Sequence, residues 1–132
     1  SAHRSSGGGV DLDLSHELDY ALYLFGNGFK KGFMHRCKVS NLDIKSPDYF
    51  KLVLDYKRFV VDMTLDYIRK PGQRYIRVIC EDADNLDYNF LKSDIAASHK
   101  KMLKAFMGID RANRAMLCSV DEAVNVLRVL EV

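Results

Sequence analysis

The chain has 132 residues, of which 48% are apolar and 29% charged, with a formal net charge of +2. This is ordinary globular usage, enough for one hydrophobic core without staples, and too weakly basic to argue for nucleic acid from charge alone. No apolar run nears the ~20 residues that span a bilayer, and the first residues lack the basic start and apolar core of a signal peptide. The expectation is a cytoplasmic protein without membrane insertion, although a longer parent chain would hide both signals. Cys37, Cys80 and Cys118 are odd in number and form no CxxC pair. Cys80 and Cys118 lie inside apolar strand-like runs, so buried, reduced thiols in a reducing compartment fit better than disulfides or structural zinc.

Residues 1–9, "SAHRSSGGG", have no apolar periodicity and read as a flexible leader or a remnant of cloning. Residues 10–132 are then expected to make a single globular domain. In "LDLSHELDYALYLF", Ser15 could cap a helix with Glu17 in its first turn. Alternatively "YALYLF" is a strand that turns at Gly26-Asn27-Gly28 into "FKKGFMHRCKV". Gly26, Gly28 and Gly32 argue against one helix through the whole stretch, so the hairpin is preferred.

Residues 46–70 carry the clearest helical signal. Ser46 suits an N-cap, Pro47 the first helical position and Asp48 the first turn. Val53, Tyr56, Val60, Met63 and Tyr67 recur at three and four, and Pro71-Gly72 would stop the element. The spacing predicts a rod of roughly 36 Å, apolar on more than one side. "RYIRVIC" (74–80) predicts an interior strand. Residues 87–107 predict a second long helix with Tyr88, Leu91, Ile95, Met102 and Phe106 on one face, capped by Gly108. "RAMLC" (114–118) predicts a short strand, and "SVDE" is a capping box opening a last helix with Val120, Ala123, Val124, Leu127 and Leu130 as its stripe.

An N-terminal β-hairpin followed by helix-strand-helix-strand-helix predicts a small α/β (or α+β) sandwich, its sheet partly parallel and packed by long helices. In layout alone it resembles small regulatory modules such as STAS-type anti-anti-sigma domains, without their phosphorylatable serine turn. Ser-His-Glu-Leu at 15–18 resembles the phosphoacceptor box of sensor histidine kinases. Asp19 and Tyr20 replace the family's basic residue and Thr-Pro pair, however, and no nucleotide-site glycine pattern follows. His16 therefore reads as an exposed first-turn residue. His99 similarly lacks the lysine three positions on, where Met102 stands, and reads as a core-edge histidine.

Two charged stretches are the candidate sites. Residues 81–87 hold Glu81, Asp82, Asp84 and Asp87 with no base. An Asp-x-Asp after an apolar strand resembles the nucleophile motif of haloacid-dehalogenase-type phosphatases and the opening of NYN-type ribonuclease domains. Such a site could hold Mg²⁺ and attack phosphorus. Both families place that strand early and follow it with further acidic strand ends, which this chain lacks. An EF-hand loop begun at Asp82 also fails, with Asp87 at its sixth position and Ser93 at its twelfth. Residues 30–38 hold Lys30, Lys31, Arg36 and Lys38 interleaved with Phe29 and Phe33, a pattern that could meet phosphates and stack on bases. A solvated edge strand explains it as well.

The expectation is a non-enzymatic regulatory or protein–protein interaction module, with no catalytic residue, metal or cofactor. Its partner surface comprises Asp82, Asp84, Asp87, Lys30, Lys31, Arg36 and Lys38, and the opposed patches suit a protein partner or self-association as a homodimer. A nucleic-acid or anion binder using residues 30–38 is the alternative. A Mg²⁺-dependent phosphoryl-transfer enzyme using Asp82 and Asp84 is the second.

Overall fold

A computed structural model describes residues 8–109 and 117–131, except for the side chain of Lys31. The chain divides into two compact units: one takes residues up to Ile68 together with those from Ser119 on, and the other is Arg69–Cys118.

The first unit opens with a short helix α1 (Val10–Asp13) and helix α2 (Ser15–Phe25). Gly9, assigned above to a leader, starts α1 with φ 131°, a backbone state that suits glycine. Its carbonyl accepts from the N–H groups of Leu12 and Asp13 at 3.1 and 2.9 Å. Where the sequence favoured a strand, residues 20–25 are helical. Leu14, Leu18, Ala21 and Leu22 recur at helical spacing and turn to the core. Gly26 at φ 74° ends the helix, its N–H donating to Leu22 O at 2.8 Å. No single helix runs through the whole stretch, as the glycines implied, but the element before Gly26 is a helix and not a strand. Ser15 is the first helical residue, and Leu14 before it provides no side-chain cap.

Strands β1 (Lys30–Cys37), β2 (Tyr49–Asp55) and β3 (Val60–Asp66) form an antiparallel sheet in the order β1-β2-β3. The long helix expected over 46–70 is thus a β-hairpin. Phe50, Leu52, Leu54 and Tyr56, at a period of two, are buried, and Val61, Met63 and Leu65 answer them from β3, with Tyr67 just beyond it. The chain reverses at Tyr56–Phe59, with Lys57 at φ 69° and its N–H bonded to Asp55 Oδ1 at 2.8 Å. Tyr56 stacks on Phe59 with ring centroids 4.6 Å apart, closing the turn. Ser46-Pro47-Asp48, which imitates a helix start, instead anchors the entry to β2: Pro47 O accepts from Val10 N at 3.0 Å.

Helix α4 (Val120–Glu131) completes the first unit. Its capping box forms as expected, with Ser119 N to Glu122 Oε2 at 2.7 Å and Glu122 N to Ser119 Oγ at 3.2 Å. The Ser119 N–H, then its hydroxyl, hold the Glu122 carboxyl below its ordinary range. Val126 and Leu130 join Val10, Leu18 and the inward residues of β2 and β3 in one cluster. The helices cover one face of the sheet. The other face carries Phe33, His35 and Cys37 beside Tyr49, Lys51 and Val53, and a bulge between Lys31 and Phe33 sets that alternation.

The second unit consists of a hairpin, β4 (Tyr75–Val78) and β5 (Leu86–Asn89), a 3-10 turn at Phe90–Lys92, and helix α3 (Ile95–Phe106). The helix expected over 87–107 begins eight residues later because residues 86–89 pair with β4. Asn89 caps the 3-10 turn through Leu91 N at 2.9 Å, and Asp94 caps α3 through Ala97 N at 2.9 Å. Both sheets are antiparallel. Once residues 46–70 are a hairpin, no long helix remains to carry a parallel crossover between these strands. The strand expected at 114–118 falls mostly on residues outside those described; Leu117 and Cys118 are not in a strand, and Cys80 and Cys118, expected to be buried, are exposed.

Candidate functional site

Of the basic candidates, Arg36 and Lys38 are each engaged by a buried carboxylate of the first unit. Arg36 points from β1 toward the helices. Its Nε donates to Asp11 Oδ2 at 2.7 Å, a second nitrogen donates to the carbonyl of Leu130, and the guanidinium lies 5.5 Å from the Phe50 ring centre. One side chain thus ties β1 to α1 and to the last turn of α4, whose carbonyls lack helical partners. Asp11 is fully buried. Replacing Arg36→Ala therefore costs roughly 3 kcal/mol, read as a fall in the urea midpoint; Arg36→Lys, which keeps the charge but not the fork, recovers only part.

Lys38, just past β1, donates to Asp48 Oδ2 at 2.9 Å. Asp48 is fully buried and also accepts from Val39 N at 2.7 Å, Ser40 N at 3.1 Å and the Ser40 hydroxyl. Burial works to raise its pKa, but these donors, led by the Ser40 hydroxyl, outweigh it and hold the carboxyl well below the ordinary range. Lys30 is exposed near the start of β1, and Lys31 pairs in register with Leu54. The four basic residues therefore do not make one open surface: one side chain is turned under the sheet and another closes a loop.

The acidic candidates divide in a similar way. Asp87 lies opposite Arg77 across the hairpin and takes both its nitrogens, at 2.6 and 3.0 Å. The Arg77 guanidinium holds the Asp87 carboxyl below its usual value. Asp82 and Asp84 stand with Glu81 in the exposed loop between β4 and β5, which Asn85 closes by accepting from Cys80 N at 3.3 Å. Among the described residues no three His, Cys, Asp or Glu side chains gather in a way that could hold a metal ion.

The most unusual surface belongs to side chains that periodicity assigns to a core. Among the described residues of the second unit only Ala105 is buried. Ten of that unit's large apolar side chains are each more than half exposed: Tyr75, Ile79 and Leu86 on the hairpin, Leu91 after it, Ile95, Met102, Leu103 and Phe106 on α3, then Met107 and Ile109. Phe106 is 76% exposed and Ile109 67%. On α3, Ile95, Met102, Leu103 and Phe106 share one side, while Lys100, Lys101 and Lys104 fall on the other at ~100° per residue. A shallow hollow of about 480 Å³ lies on the same unit, lined by Tyr88, Asn89, Ser93, Asp94, Ala97 and Lys101. The sequence marked the α3 stripe by its period, but it contained no sign that these side chains would stand exposed rather than packed.

No family model matches the chain, no curated protein matches it, and no solved structure matches it. Among the described residues no helix is long and apolar enough to cross a membrane.

Proposed function

We propose that this protein is a non-enzymatic protein–protein interaction module. The first unit supplies a scaffold, and the second presents an apolar surface to a protein partner. A single observation carries this reading: among the described residues of the second unit, one is buried and ten large apolar side chains are more than half exposed. Monomeric domains seldom leave contiguous apolar patches beyond a few hundred Å², and larger ones mark interaction surfaces. The hairpin and α3 supply anchors of the kinds that dominate binding, an aromatic and a methionine among aliphatic groups. A nucleic-acid role for residues 30–38 draws less support, because Arg36 and Lys38 already serve Asp11 and Asp48.

The test is a pair of variants, Phe106→Asp and Met102→Asp, each at an exposed position whose change leaves the core of the first unit untouched. Sedimentation of the purified chain, and affinity capture from its source cells, are compared for wild type and variants. The expected result is an assembly, with itself or with a defined protein, that both variants weaken at least tenfold while their circular dichroism is unchanged. A wild-type chain that stays monomeric and captures nothing the variants lose would overturn the reading.

A further inference from the structure

At one end of the three-stranded sheet the first unit joins exposed aromatic rings to unpaired cations. The end of α2, the start of β1 and the turn from β2 to β3 converge there. The Tyr56 hydroxyl donates to Gly26 O at 2.7 Å. The Phe25 ring lies 6.0 Å from the Tyr56 ring and 5.2 Å from that of Phe59, and the Phe29 ring lies 5.7 Å from Tyr56. Tyr56 is buried in this cluster, but Phe25 and Phe59 stay 39% and 44% exposed, and Val60 beside them 61%. The bend that leads from the helix is open: a Cβ added at Gly26 or Gly28 would meet no atom of the described residues within 4 Å.

Three cations stand at the same end. Lys57 and Arg58 form the turn itself, between Tyr56 and Phe59, and Lys30 lies opposite Asp55, which lies opposite Val60 in turn. All three are exposed, and among the described residues none makes an ion pair. Asp55 is the acid of this rung and accepts from Lys57 N at 2.8 Å. The end thus carries three positive charges against one negative, set among the rings.

We infer that this end of the first unit rests on an anionic lipid surface. Aromatic and aliphatic side chains settle at the headgroup boundary, and lysine and arginine beside them are drawn to acidic headgroups. A hairpin turn and a helix end form a tip, which enters a soft planar interface more readily than it receives a protein side chain. Tyr56 lies on Phe59 with planes 9° apart, so that ring face is closed to a nucleic-acid base. The contact is peripheral, since no helix of the described residues is long and apolar enough to cross a membrane. It goes beyond the protein-binding reading and uses none of the residues that carry it.

Vesicles of phosphatidylcholine, alone or with about 30% phosphatidylserine, test it. Wild type is expected to co-sediment with the mixed vesicles and not with phosphatidylcholine alone, and the bound fraction to fall as salt rises from about 0.05 to about 0.5 M. Lys30→Gln, Lys57→Gln and Arg58→Gln are each expected to weaken partition roughly fivefold with unchanged circular dichroism. The chain has no tryptophan, so Phe59→Trp supplies a single fluorophore. Its emission is expected to shift to the blue on mixed vesicles, which adsorption through charge alone does not produce. Phe106→Asp, in the second unit, is expected to bind as wild type does. A wild-type chain that ignores mixed vesicles at about 1 mM lipid overturns the inference. Binding that survives all three charge changes overturns it too, as does an unshifted emission. Loss of binding with Phe106→Asp would place the lipid contact on the second unit instead. Capture of an acidic protein that Arg58→Gln releases, without vesicle binding, would give these cations to a protein partner and refute the membrane.

Discussion

A chain in which residues 69–118 are replaced by about twenty Gly and Ser residues is expected to fold cooperatively and to lose association entirely. Every buried residue of the main cluster belongs to the first unit: Val10 and Leu18 from the helices before the sheet, Phe50, Leu52, Leu54, Tyr56 and Leu65 from β2, its turn and β3, and Val126 and Leu130 from α4. The polar ties also close within that unit, as Arg36 joins Asp11 to Leu130 and Lys38 joins Asp48. At roughly 1.5–3 kcal/mol for each fully buried large apolar side chain, this cluster is the main favourable term, and the deletion removes none of it. A flexible linker of that length has a root-mean-square span of roughly 25 Å, enough to lead from β3 to α4 across a domain of this size. The shortened chain should keep a sharp thermal transition and its helical circular dichroism, and should sediment as a monomer at concentrations where the full chain associates. Loss of the cooperative transition would show that the first unit needs the second. Unchanged association would place the binding surface elsewhere.

The two units differ in how far their sequences disclosed them. Helix α4 was legible because its start is local: Ser119 and Glu122 recognise one another three residues apart, and no distant contact can reverse that geometry. Strand β1 was legible too, since "FKKGFMHRCKV" reads as a strand leaving the Gly26-Asn27-Gly28 turn and Lys30–Cys37 is one. Residues 46–70 misled because two periods coexist there. Val53, Tyr56, Val60, Met63 and Tyr67 fit a helix, while Phe50, Leu52, Leu54 and Tyr56 fit a strand. The choice falls to partners far away in sequence, Met34 and Arg36 on β1 and the helices beneath. The Ser46-Pro47-Asp48 signal deceived for the same reason. Asp48 is indeed a capping carboxylate, but it caps the loop arriving from β1 rather than the chain leaving it. The candidate site was half visible. Its acidic loop stands out in composition, whereas an apolar stripe on α3 has the same sequence pattern whether a second element covers it or a partner must.

Loss of the Asp48 carboxylate is expected to be the most destabilising polar change in the first unit, and its signature lies in acid. Asp48 N–H donates to Cys37 O at 3.1 Å and its carbonyl accepts from Tyr67 N at 3.1 Å, so its backbone joins the ends of β1 and β3. Its buried side chain meanwhile gathers Lys38, Val39 and Ser40. Asp48→Ala leaves those donors without their acceptor and should cost roughly 3 kcal/mol in urea unfolding at pH 7. Asp48→Asn keeps the shape but offers one acceptor oxygen and no charge, and should retain only part. Because donors in the folded protein hold this carboxyl below its ordinary range, the unfolded chain takes up a proton first as pH falls. The contribution is therefore whole above about pH 5 and shrinks as pH drops below the ordinary aspartate value near ~3.9. Urea midpoints of wild type and Asp48→Asn should run parallel from pH 7 to pH 5 and converge below pH 4. Lys38→Met, which removes one donor and leaves the Val39 and Ser40 bonds in place, should show a smaller gap with the same convergence. A gap between wild type and Asp48→Asn that stays constant to pH 2 would mean that the carboxylate's charge does not hold this loop, and that packing around Asp48 does.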